Sequence, residues 1–196
     1  AHGWARIRPW ELRSAQATAS GGVRALFALE HDGLSLLYEV GIGEELSLDL
    51  SLRNAGGAPR TVEAALHTYL AVGDVTAVSI TGLEGARYSD RLTDEERVQD
   101  GPIRFSGRVD RIYRARGPVA VTDPAGRRRI VVTGVRAPNA VVWNPWNRVA
   151  ATMADLGEEW PSMVCVESAA VRDQAVRLEP GESMSLGARI GVEPLS

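Results

Sequence analysis

The chain has 196 residues, 44% of them hydrophobic and only 6% aromatic, which fits one globular core and excludes a disordered tail. Its 22 basic residues stand against 25 acidic ones, for a net charge of −3, so there is no basic footprint for nucleic acid. No apolar run approaches the roughly 18 residues of a membrane-spanning helix, and neither nucleic acid nor membrane is an expected partner.

All the basic residues are arginine. Without lysine, Schiff-base and pyridoxal-phosphate chemistry and a phosphate-loop lysine are closed. Cys165 is the single cysteine and cannot form an internal disulfide. With only His2, His31 and His67 beside it, a structural zinc site of Cys and His ligands cannot be assembled. A reducing cytoplasm fits this usage, and no charged-then-apolar leader opens the chain.

In chain order, alternating runs at Val23 to Glu30 and Leu34 to Val40 predict strands, and Gly41-Ile42-Gly43 reads as a turn, not a dinucleotide loop. Glu45 to Arg53 alternates strictly, with Leu46, Leu48, Leu50 and Leu52 on one face. Asn54-Ala55-Gly56-Gly57 then turns the chain into a run from Thr61 to Val72. There Val62, Ala64, Leu66, Leu70 and Val72 share an apolar face, while His67 points the other way with Glu63, Ala65 and Tyr69. Further strands are expected at Val75 to Thr81, Ile103 to Tyr113, Val119 to Thr122, Ile130 to Val135, Met163 to Val171 and Ser183 to Ile190.

Asp123-Pro124-Ala125-Gly126 and Pro180-Gly181 read as tight turns, with glycine taking the strained corner of the first, and Arg127-Arg128-Arg129 as a solvated strand start. A helix capped by Asn147 and stopping at Gly157 is expected, with a weaker helix signal at Thr93 to Glu96. Many strands at this spacing predict an all-β protein, a large antiparallel β-sandwich with one or two short helices, in a single domain over residues 1–196.

His67 on a polar strand face, taken by itself, reads first as an ordinary exposed histidine. Glu167 shares its face with Cys165 and Met163, and a carboxylate closing an apolar face demands a cleft or an ion pair. Asp110 lies with Arg104, Ser106 and Arg108 on the polar side of its run. Spacing alone does not say whether these three faces converge.

Together, Ala65-Leu66-His67-Thr68-Tyr69-Leu70, Val72-Gly73-Asp74 and Gly82-Leu83-Glu84-Gly85 with Tyr88 and Asp90 resemble the hexose-6-phosphate mutarotases, the glucose-6-phosphate 1-epimerase branch of the aldose 1-epimerase superfamily. His2-Gly3-Trp4-Ala5-Arg6 with Trp10, Val109-Asp110-Arg111-Ile112-Tyr113, Val142-Trp143-Asn144-Pro145-Trp146 with Met153 and Asp155, and Met163-Val164-Cys165-Val166-Glu167 extend the resemblance over nearly the whole chain. It implies a galactose mutarotase-like sandwich that interconverts the α and β anomers of a hexose 6-phosphate without a cofactor or metal. By the same resemblance His67 matches the general acid on the ring oxygen and Glu167 the general base on the anomeric hydroxyl. Asp110 matches a residue that binds sugar hydroxyls, and His2 and Arg6 match the substrate pocket, with Arg6 toward the phosphate.

Ordinary pKa values of roughly 6.5 for His and 4.3 for Glu leave a usable acid and an ionised base between them, so a bell-shaped pH profile is expected. A guanidinium matches phosphate geometry and stays charged. The family carries an N-terminal segment before its His-Gly-aromatic-Ala-Arg motif, with a second phosphate-contacting arginine, whereas this chain opens one residue before His2. The resemblance therefore implies that this segment is missing, leaving open sheet edges that it or another chain would cover. Two rivals share the same residues: a non-catalytic sugar-binding or regulatory sandwich, against which the retention of both His67 and Glu167 argues, and a mutarotase for unphosphorylated aldoses, which Arg6 and the absent arginine segment would discriminate.

Overall fold

The computed structural model describes residues 2–115 and 117–195. Two antiparallel sheets carry the fold, as the alternation predicts. The larger has nine strands in the order Glu11–Ala17, Val23–His31, Leu34–Ile42, Leu46–Asn54, Ser183–Pro194, Arg128–Val135, Pro118–Asp123, Ser79–Thr81 and Ile103–Arg104. The smaller runs Glu95–Val98, Arg87–Asp90, Val109–Arg114, Asn139–Asn144, Met163–Ala170 and Ala64–Leu66, with Tyr69–Ala71 also pairing on Met163–Ala170. Arg60–Val62 and Val176–Leu178 form a separate ribbon.

The core lies between the sheets, because the period of two sends every second side chain inward. Leu48, Leu50 and Leu52 pack there with Leu186, Ile130 and Val132 of the larger sheet and Val142, Val164 and Val166 of the smaller. Burial fades toward one end of the larger sheet. Leu12, Phe27, Tyr38 and Leu50 occupy one cross-strand row, yet Leu50 is buried and Leu12 is 55% exposed. Val23 and Ile42, paired across two strands of that end, are exposed as well.

Several predicted elements are broken in the structure. The run Thr61 to Val72 becomes three short strands: its hydrogen-bonding partner changes from Val176–Leu178 to Met163–Ala170 after Val62, and the pairing on Met163–Ala170 is interrupted at His67 and Thr68. Ile103 to Tyr113 splits around Gly107, its first piece in the larger sheet and its second in the smaller. Val75 to Val78 is a turn, held by Asp74 Oδ1 accepting from the amide and hydroxyl of Thr76, and only Ser79–Thr81 is strand.

The predicted helix shortens to Trp146–Ala150. Asn147 does not cap it; instead Asn144 Oδ1 accepts from the Trp146 amide at 2.9 Å, and Gly157 takes a left-handed conformation at the far end of the segment. Thr93 to Glu96 is a turn entering a strand, not a helix. Gly41 and Ile42 complete their strand. In the turn after Asp123, Arg127 and not Gly126 takes the positive φ; Gly126 is required because a Cβ there would overlap the Asp123 carboxylate. Among the described residues no helix is long and apolar enough to cross a membrane.

Candidate active site

Sheet register brings His67 and Glu167 together. Leu66 pairs with Ser168 and Tyr69 with Cys165, so His67, in the gap between its two short strands, stands opposite Glu167 on the face turned away from the core. Val141 follows Glu167 on the next strand, and Trp143 follows Cys165. The two polar faces that the alternation left separate are therefore one surface.

The His67 Nδ1 and Glu167 Oε1 atoms are 3.4 Å apart. Their alignment does not make a hydrogen bond, and Nδ1, fully buried, has no hydrogen-bond partner among the described residues. Aromatic rings fix the imidazole instead. Tyr69 stacks on it at 4.8 Å with planes 10° apart, Trp143 meets it edge-on at 5.7 Å, and His2 meets it edge-on at 5.0 Å. Such offset and edge-to-face contacts are the geometries that aromatic quadrupoles favour.

His2, Arg6, His67, Tyr69 and Glu167 line a cavity of about 540 Å³, within the range of small-molecule sites. Its other wall is apolar and includes Leu36, Leu50 and Leu52. The turn Trp4–Ile7 carries Arg6 to the cavity, and it is tied down by Trp10 Nε1 donating to the Ala5 carbonyl at 3.1 Å and by Trp4 packing on His31. Arg6 Nη2 already pairs with Asp155 Oδ2 at 2.8 Å, with both side chains more than half exposed.

Asp110 does not join the cavity wall. It lies opposite Trp143, one strand farther from Glu167, and forms an ion pair with Arg108 at 3.5 Å. It still acts on the site electrostatically. Burial raises the pKa of Asp110 itself, and its negative charge adds to the burial that drives Glu167 up to about 8. Burial first, then the charges of His2 and Arg6, bring His67 down to about 4.

The expectation of ordinary pKa values is thus corrected, because each group has moved toward its neutral form in a poorly hydrated wall. Near neutral pH the pair holds one proton, on Glu167, beside a neutral imidazole. Sequence reasoning placed Tyr69 on the face of His67 but gave no role to Tyr69 or Trp143, whose rings clamp it, nor to Asp155, which answers Arg6. Cys165 Sγ belongs to the same cluster, with the ligating atoms of His67, Cys165 and Glu167 all within 4.8 Å of one another.

Comparison with known proteins bears on the family and the fold. A protein of Cenchrus ciliaris named "Putative glucose-6-phosphate 1-epimerase" is 40% identical over 75% of this chain and 46% of its own length. An Escherichia coli protein of the same name is 34% identical over 86% of this chain and 60% of its own length. The chain spans between 46% and 66% of the length of four such curated relatives. The crystal structure of "a putative mutarotase" from Salmonella typhimurium superposes with a TM-score of 0.88 at 26% identity, covering 99% of this chain and 68% of that one. The family model described as Aldose 1-epimerase matches residues 1–191, and the chain belongs to the aldose 1-epimerase family.

Proposed function

We propose that the chain interconverts the α and β anomers of a hexose 6-phosphate, glucose 6-phosphate first, in the cytoplasm. The observation that carries this reading is the His67–Glu167 pair, 3.4 Å apart in the wall of a cavity that Arg6 also lines. The names of the curated relatives support the substrate class, and a sole, buried, free cysteine suits a reducing compartment.

Ring opening needs one proton given and one taken. Opening starts from the less populated tautomer, in which the pair's one proton sits on His67 and not on Glu167: Glu167 takes the proton of the anomeric hydroxyl, the electron pair left on that oxygen forms the aldehyde, the bond from the first carbon to the ring oxygen breaks, and His67 protonates the ring oxygen. Rotation about the bond between the first two carbons turns the other face of the aldehyde toward the ring hydroxyl. Closure reverses both transfers, and the net reaction consumes no cofactor. The arrangement that burial favours, neutral His67 beside protonated Glu167, is the one the pair reaches once the ring is open, ready to close it. Tyr69 and Trp143 give the sugar ring an aromatic platform, from which Asp110 can accept from sugar hydroxyls. His2 orients the imidazole.

The Arg6–Asp155 pair favours a second reading, a mutarotase for unphosphorylated aldoses, because the guanidinium charge is already answered. Exposed ion pairs are worth only about 0 to 1 kcal/mol, so a phosphate dianion can displace Asp155, and the phosphorylated substrate remains the proposal. Magnetisation exchange between the anomers of glucose 6-phosphate and of glucose, with and without inorganic phosphate as competitor, tests both. Acceleration of the ester alone, suppressed by phosphate and lost in Glu167→Gln, is the expected result. Equal acceleration of both sugars, indifferent to phosphate, would assign the site to free aldoses.

A further inference from the structure

We propose that His67, Cys165 and Glu167 form a binding site for one thiophilic divalent cation, zinc in the first instance. The three offer an imidazole nitrogen, a thiol sulfur and a carboxylate oxygen, with all ligating atoms within 4.8 Å of one another. Nitrogen, sulfur and oxygen in this combination are the donors that tetrahedral zinc accepts, at about 2.0 to 2.3 Å from the metal. Ligands at those distances stand roughly 3.4 to 3.7 Å apart around one ion.

The His67–Glu167 pair already has that spacing at 3.4 Å, so only the cysteine sulfur must close in. A buried donor without a partner points to the same ligand, since Nδ1 of His67 makes no hydrogen bond among the described residues, and buried polar atoms left unpaired are rare and call for a reason. A cation between the three side chains would satisfy it.

The fold holds the donors in place for reasons unconnected with metal. Cys165 and Glu167 are two residues apart on one strand, so they share a face. His67 faces that strand in continuous register. Glu167 and His67 open onto the cavity while Cys165 is fully buried beside them, so an ion entering from the cavity meets carboxylate and imidazole before sulfur. On binding, the thiol and the carboxyl release their protons to solvent and the imidazole gives its lone pair. An occupied site has no free base and no free acid, so a bound cation blocks anomer exchange. That consequence rests on the proposed function, whereas the binding site itself does not.

Cobalt(II) is the probe, because a cobalt–thiolate bond gives an intense near-ultraviolet charge-transfer band and the chain has one cysteine, so any such band reports Cys165 Sγ. The expected result is a band that saturates at one equivalent and is erased by zinc, which binds such sites more tightly than cobalt. His67→Ala and Glu167→Gln should each weaken cobalt binding by about 10-fold or more. Cys165→Ala, read by competition with a chromophoric chelator, should weaken zinc binding similarly. Should that variant fail to fold, the band of the unaltered chain decides alone.

Cobalt bound without a sulfur band would overturn the site, as would a band whose affinity is the same in His67→Ala and Glu167→Gln. Zinc inhibition of anomer exchange, relieved in Cys165→Ala, is a separate arm. A chain that binds cobalt through sulfur but accelerates no anomer exchange would leave the metal site standing and remove the proposed function.

Discussion

Asp123 and Glu167 are both carboxylates sunk into β-structure, and the fold treats them in opposite ways. Asp123 is fully buried and surrounded by donors. Its Oδ1 accepts from the Gly73 and Gly126 amides, each at 3.1 Å, and its Oδ2 from Arg128 Nε at 3.2 Å. Glu167 is buried nearly as deeply, at 6% exposure, but the side chain nearest its Oε1 is an imidazole that is not aligned to donate. Satisfied on all sides, the first carboxylate serves as a clasp between two turns. With no side-chain donor aligned on it among the described residues, the second is driven by its burial and by the charge of Asp110 to hold its proton up to about pH 8 and can pass it on. What separates a structural carboxylate from a proton-transfer one here is the supply of donors, not the depth of burial.

Glu167→Gln breaks the comparison most sharply, because it should cost activity and gain stability together. Anomer exchange is expected to fall by about 100-fold or more with substrate binding nearly unchanged. For stability, the native pKa of about 8 lies above the ordinary 4.5, so between these values the native state binds more protons than the unfolded one. The contribution of Glu167 is then fully present below about pH 4.5 and is lost as pH rises toward 8. The deficit at pH 8 is on the order of 4 kcal/mol, and Glu167→Gln removes it. Thermal melts at pH 5 and pH 8 should show the variant gaining on the parent only at the higher pH, and an equal difference at both would deny the burial effect.

Asp123→Ala is the counterpart and should destabilise by about 2 to 4 kcal/mol, since two turn amides lose their acceptor and Arg128 its counter-charge. Denaturant unfolding measures it. Exchange activity per folded molecule should stay the same; a specific loss of activity would show that the two carboxylates are not separable.

The pH profile sharpens the comparison further. Below about 4 both members of the pair carry protons and the base is gone, and above about 8 the last proton leaves and the acid is gone. The limbs of kcat/KM should therefore stand farther apart than ordinary histidine and glutamate values would set them. A descending limb near 6.5 would mean that His67 titrates as though exposed.

These properties were unevenly legible in the sequence. Strict alternation in Leu46 to Leu52 and on both sides of His67 reflects a period that a half-buried strand imposes on its own residues, so it can be read locally. Asn139–Asn144 escaped because Ala140 to Trp143 are apolar on both faces, so polarity does not alternate although burial does, and Glu95–Val98 because it is exposed throughout. The meeting of His67 with Glu167 depends on the register between segments a hundred residues apart, which no local pattern encodes; the family resemblance supplied it. Nor could a list of residue types show that burial would push the two pKa values past each other, or that Arg6 would find Asp155.

Arg6→Ala carries the smallest expected effect and tests whether the cavity reads a phosphate at all. The Arg6–Asp155 pair is more than half exposed on both sides, so its loss should leave the melting temperature almost unchanged. If Arg6 leaves Asp155 for the phosphate, KM for glucose 6-phosphate should rise by about 10-fold, the value of one charge-assisted contact, while kcat holds and glucose responds little. Asp155→Ala should do the reverse, freeing the guanidinium and lowering KM for the ester modestly. If both substitutions affected ester and free sugar alike, the pair would be a strut between the first turn and the loop after the short helix, and the phosphate would have to be recognised by other groups.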